Sequence, residues 1–147
     1  MTSFPTPEKI AEIAEELSLG FRAFLHKKTG ETVFIPNELD IADADLTLWS
    51  DEVALVEANP SDYEEIEKWT SSDDFIVMEN FTRQLSQNKP LRQKLSNALN
   101  ENKPFRKFKA IIQEDGEQLK RWYLFQKQCQ INYVKNQLEL IQSQEED

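Results

Sequence analysis

The chain carries one cysteine, one histidine and three glycines among 147 residues. A lone Cys129 excludes an internal disulfide framework and a multi-cysteine zinc site. Three glycines are too few for a turn-rich all-β fold, and none sits in a phosphate loop or a dinucleotide fingerprint. No apolar run approaches the roughly 20 residues of a membrane span, so no membrane partner is expected. The opening residues, MTSFPTPEKI, lack a basic stretch followed by an apolar one, and no secretory signal is expected from them. Cytoplasmic residence follows as the plain expectation. No metal ligand set, cofactor motif or catalytic group stands out.

What is present is charge and aromatic mass. Apolar residues make up 39% and charged residues 30%, but nine Phe, three Trp and three Tyr are enough to build a core. The length suits one domain over residues 1–147, with an acidic α/β half (1–70) and a basic helical half (71–147). The net charge of -10 is unevenly spread. Residues 1–82 hold 5 cations and 19 carboxylates, whereas residues 83–147 hold 12 cations and 8 carboxylates. From Arg83 to Gln113 there are eight cations and one carboxylate, Glu101.

Periodicity predicts an α+β fold. TPEKIAEIAEEL reads as a helix capped by Thr6, with Ile10, Ile13, Ala14 and Leu17 on one face. FRAFLHKKTGETVFIP reads as a β-hairpin turning at Gly30, and Tyr63–Lys68 as a third, edge-type strand. Residues 37–47 read as an acidic loop, and a short helix is expected to end near Asn59-Pro60. Helices follow from Ser71 (a capping box with Asp74), Pro90 and Pro104, and a long one runs from about Glu117 to Gln142. Its main stripe is expected to be Leu119, Trp122, Cys129, Tyr133 and Leu140, joined by Tyr123 and Phe125.

The motifs MENF (Met78–Phe81), LRQKLSNAL (Leu91–Leu99), KPFRKFK (Lys103–Lys109) and RWYLF (Arg121–Phe125) occur in this order. Together with the TGE hairpin and SDYEEIEK, this string resembles the bacterial group known as Uncharacterised Protein Family 0158. The resemblance runs from about Phe21 to Val134 and implies a bacterial protein, with no activity to carry over. In that family a glycine-rich stretch leads into Phe-Arg-x-Phe-Lys; here it is NENKP. The expectation from that departure is that glycine's backbone freedom is not needed at Asn102–Pro104.

Three functional classes remain. The first is a noncatalytic interaction or regulatory protein with a protein partner, or a second copy as a homodimer. Its candidate interface is the stripe Leu124, Ile131 and Leu138, spaced by seven on the long helix. The second is a nucleic-acid-binding protein using Arg83, Lys89, Arg92, Lys94, Arg106, Lys107 and Lys109. At 100° per residue Phe105, Phe108, Ile111 and Ile112 share one side of their helix, which marks the two rings as core rather than base-stacking platforms. The cations around them can hold phosphates, but with 19 carboxylates in residues 1–82 pairing with the acidic half or with solvent is the expectation. The third is a hydrolase with a carboxylate pair, which 27 acids permit without nominating any two. His26 and Cys129 read as a strand residue and a small core hydrophobe rather than a catalytic pair. The carboxylates Glu38, Asp40, Asp43 and Asp45 lack the Gly and closing Glu of an EF-hand loop.

Overall fold

A computed structural model describes residues 4–37, 46–85 and 87–146. The acidic loop, with Glu38, Asp40, Asp43 and Asp45, therefore lies outside the described residues. Among the described residues the fold is α+β: a three-stranded antiparallel sheet and six α-helices. The elements are α1 (Pro7–Ser18), β1 (Phe21–His26), β2 (Thr32–Pro36), α2 (Ser50–Ala58), β3 (Tyr63–Ile66), α3 (Ser71–Arg83), α4 (Lys89–Leu99), α5 (Pro104–Ile112) and α6 (Gly116–Glu146). Short 3-10 turns at Leu46–Trp49 and Pro60–Asp62 flank α2. The described residues gather into two compact units, Met1–Lys68 with Gln130–Asp147, and Trp69–Cys129.

In the first unit α1 starts where Thr6 accepts from the Lys9 amide at 3.2 Å and Pro7 supplies a preset φ. Its face of Ile10, Ile13, Ala14 and Leu17 is buried. Strands β1 and β2 pair with Ala23 opposite Phe34, and the connection turns at Gly30, whose φ of 77° favours a residue without a Cβ. Strand β3 pairs with β1, Ala23 opposite Ile66, giving the order β2-β1-β3. The expected third strand is thus present and lies at an edge. Arg22 on β1 forks onto Glu65 of β3 through two bonds of 2.8 Å, and its guanidinium lies 5.0 Å from the Phe24 ring. Ala23, Leu25 and Ile66 meet the α1 face and Val134, Leu138 and Ile141 in one core. The Gln137 side chain accepts from the Glu67 amide at 3.1 Å, and the Tyr133 hydroxyl donates to the Lys68 carbonyl at 3.2 Å.

The second unit is helical. Its capping box uses Thr70 and Asp73, one residue earlier than the Ser71 and Asp74 pattern suggests. Both spacings are available, but Asp74 is engaged by the Trp69 indole N–H at 2.6 Å, leaving Asp73 to bond the Thr70 amide and hydroxyl. The core is aromatic. Phe108 is fully buried, with Trp122 at 4.9 Å and Phe81 at 6.5 Å between ring centres, while Phe81 lies 5.4 Å from Trp122. Val77, Met78, Leu95, Leu99 and Ile112 complete it. These edge-to-face pairs contribute roughly 0.5–1.5 kcal/mol each beyond the area they bury.

One expectation is overturned at the α4–α5 connection. Lys103 sits at φ 54° and ψ 55°, the left-handed conformation that glycine adopts at least cost. Four residues, Asn100–Lys103, connect the two packed helices, and Lys103 is the one that takes this conformation. The left-handed backbone that glycine adopts most readily is thus needed within Asn102–Pro104, and a lysine supplies it.

Candidate functional site

Helices α4 and α5 position most of the predicted cations. On α4, Leu95, Ala98 and Leu99 face the core, so Lys89, Arg92 and Lys94 fall on the solvent side and are exposed. The Asn88 side chain starts this helix by accepting from the Leu91 amide at 3.3 Å. On α5, Phe108 and Ile112 are buried and Phe105 and Ile111 pack half-buried against the same core. The periodicity argument holds: these rings do not offer a stacking platform. Arg106 and Lys109 point to solvent. Lys107 is half-buried and pairs with Glu101 at 2.9 Å, a partner six residues away in the same unit. Arg83, in the last turn of α3, is exposed and makes one long contact of 3.4 Å to Asn80. Among the described residues Arg83, Lys89, Arg92, Lys94, Arg106 and Lys109 form no ion pair with any carboxylate.

The electrostatics of this surface work against the helices that carry it. The first turns of α4 and α5 contain no acid, and they hold Lys89 and Arg92, and Arg106 and Lys107. Each cation there faces the positive end of a helix dipole, at a cost of roughly 0.3–1 kcal/mol per charge. Each first turn thus carries two cations and no carboxylate of its own. Over the whole second unit, Trp69–Cys129, eleven cations face seven carboxylates, a net +4. The remaining residues carry six cations and twenty carboxylates, a net -14.

The seven-spaced stripe of α6 divides. Leu124 is 70% exposed, Ile131 is half-buried and Leu138 is 1% exposed, inside the first unit's core. Trp122 is core as expected, but Tyr123 and Leu140 are 56% and 64% exposed and are not. At 100° per residue Tyr123 turns away from the side set by Trp122, Phe125 and Cys129. Tyr123 and Leu124 therefore form an exposed pair flanked by exposed Lys120, Arg121 and Lys127, which the sequence reading had placed partly in the core.

The other candidates have structural employment. His26 caps the hairpin: its Nδ1 accepts from the amides of Lys28 and Thr29, both at 3.2 Å, and its ring meets Tyr63 edge-on at 5.0 Å. Cys129 is half-buried against the aromatic core, and burial pushes its thiol above the usual cysteine range, away from the reactive thiolate. Among the described residues no group of three or more His, Cys, Asp or Glu is placed to hold a metal ion. No described helix is long and apolar enough to cross a membrane.

With this geometry in place, comparison with known proteins supplies an assignment of kinship. The family model of Uncharacterised protein family (UPF0158) matches residues 8–145, and the chain belongs to that family. No curated protein and no solved structure matches it.

Proposed function

We propose that this chain is a noncatalytic interaction protein of the bacterial cytoplasm that engages its partner through the basic face of α4 and α5. The observation that carries this reading is the exposure of Lys89, Lys94, Arg106 and Lys109 with no ion pair among the described residues. Lys89 and Arg106, in the first turns of their helices, lower the stability of the free protein, and all four cations raise its attraction for an anionic surface. The test is capture of the tagged protein from its native bacterium, with and without nuclease. A stoichiometric protein that survives nuclease and is lost in the Arg106→Ala/Lys109→Ala variant supports the proposal. Recovery of the bare chain under both conditions refutes it.

A second reading, nucleic-acid binding, is favoured by the same exposed cations, now including Arg83 and Arg92. Phe105 and Phe108 pack into the core, so contact by this face would run to backbone phosphates and carry little sequence preference. Affinity for a DNA or RNA duplex should then fall linearly with log salt concentration and drop when Arg106 and Lys109 become alanine. Binding that ignores both changes rejects it.

A further inference from the structure

We infer that the cleft between α3 and α4 is a binding site for a small phosphate monoester of a sugar or similar polyol. The cleft measures about 220 Å³ and is lined by two matching helical stripes. Helix α3 contributes Phe75, Glu79, Thr82 and Arg83; α4 and its cap contribute Arg92, Ser96, Leu99 and Asn100. Both sets follow the i, i+4, i+7, i+8 spacing, so each is one continuous face of its helix. Leu99 and Thr82 are buried and close the bottom. The Thr82 hydroxyl is used up internally, donating to the Met78 carbonyl at 2.8 Å.

The remaining polar groups define the ligand. Arg83 and Arg92 come from different helices to the same cleft, and among the described residues neither has a carboxylate partner. Glu79 stands four residues before Arg83, the spacing at which such side chains pair on a helix, yet no ion pair forms. Two guanidiniums that form no ion pair favour an anion between them, even with Glu79 in the same cleft, and their planar donor forks suit the several oxygens of a phosphate monoester. The Ser96 hydroxyl makes no hydrogen bond of its own among the described residues and can donate to the same phosphate. Asn100 donates its amide N–H to the Ser96 carbonyl at 3.0 Å, which leaves its oxygen as an acceptor. That oxygen and the Glu79 carboxylate accept hydrogen bonds, so the organic part must donate them, as hydroxyl groups do. Phe75 adds an apolar ring against which the C–H face of a sugar can lie. The volume limits the size: sites for drug-sized ligands run to roughly 300–1,000 Å³. The assignment uses Arg83 and Arg92 and does not depend on the partner reading, which is tested at Arg106 and Lys109.

Isothermal titration calorimetry on the full chain tests the site, with ribose 5-phosphate, inorganic phosphate and ribose as probes. Ribose 5-phosphate should bind one to one, inorganic phosphate more weakly and ribose not at all. Arg92→Ala and Arg83→Ala should each weaken ribose 5-phosphate by about tenfold or more, the loss expected for a charged hydrogen-bond donor. Both side chains are exposed, so both variants should fold, which circular dichroism verifies. Glu79→Gln should narrow the gap between ribose 5-phosphate and inorganic phosphate. No heat from either phosphate at millimolar concentration, or equal binding by Arg92→Ala, overturns the assignment even if partner capture through Arg106 and Lys109 stands. A 5′-phosphorylated oligonucleotide that binds more tightly than ribose 5-phosphate, and is lost in Arg92→Ala, overturns it in favour of a nucleic-acid end.

Discussion

Replacing Lys103 by glycine should stabilise the protein. A residue with a Cβ pays roughly 1–2 kcal/mol in the left-handed region, where Lys103 sits at φ 54° and ψ 55°. Pro104 follows directly and disfavours the right-handed helical alternative, so residue 103 cannot relax by joining α5. Glycine removes that steric cost but loses more conformational freedom on folding, by roughly 0.5–1 kcal/mol. Taking midpoints, the difference is a gain of about 0.75 kcal/mol, or a rise of about 1–3 °C in melting temperature for a chain of this size. Two companion variants separate backbone from charge. Lys103→Ala deletes the ammonium and keeps the Cβ, and should leave stability unchanged within about 0.5 kcal/mol. Lys103→Val puts a β-branched side chain at positive φ and should cost more than about 1 kcal/mol. Urea unfolding followed by tryptophan fluorescence reads all three, with Trp122 inside the aromatic core as a reporter. A glycine variant that unfolds at lower urea, or a valine variant that is tolerated, would show that residue 103 is not left-handed and that the reasoning is wrong.

Three further outcomes are expected. Phe108→Ala, at a fully buried ring, should cost about 3–5 kcal/mol, a large part of a domain's stability, whereas exposed Tyr123→Ala should change it by less than about 0.5 kcal/mol; denaturant midpoints compare the two. Burial first, and Glu12 and Glu15 second, raise the Glu16 carboxyl above its ordinary 4.5. The ionised form is thus the less favoured one in the fold, so this group's contribution to stability is full below pH 4.5 and is lost as pH rises through the raised value. Glu16→Gln should therefore melt higher than the parent at neutral pH and alike in acid, a difference that a pH series of melts would show or deny. Cys129, its thiol shifted upward by burial, should react slowly with a disulfide reagent in the native protein and quickly in urea; fast native reaction would contradict its place against the aromatic core.

Much of this fold was legible because local signals agreed with one another. Thr6 and Pro7 announced α1, Gly30 took the positive φ its turn calls for, and the i, i+3, i+4 stripe of Ile10, Ile13, Ala14 and Leu17 is the buried one. The third strand, expected over Tyr63–Lys68, spans Tyr63–Ile66; Tyr63 and Ile66 do not alternate, so no strand period marked it. Phe105 and Phe108 were recognisable as core from spacing alone, which set the cations beside them on the outside. The α3–α4 cleft was not readable. Arg83 and Arg92 were individually visible as cations, but their convergence depends on how two helices pack, and nothing within either helix encodes it.

Helix α6 shows why a clear period can still mislead. Over Gly116–Cys129 the side chains packed inward are Gln118, Leu119, Trp122, Phe125 and Cys129, and over Gln130–Glu146 they are Ile131, Val134, Leu138 and Ile141, with Tyr133 half-buried beside them as expected. Each set obeys steps of three and four, and each belongs to a different core. Continuing the first set by those steps leads to Tyr133 and Leu140, which is how exposed Leu140 entered the predicted stripe and how Val134 and Ile141 escaped it. Continuing the second set backward leads to Leu124, which is exposed because no part of the second core reaches that side of the helix. A hydrophobic stripe reports the face that one core covers. When a single helix serves two cores, the apolar residue left over at the end of a stripe is the one that remains uncovered, and Leu124 beside Tyr123 is that residue here.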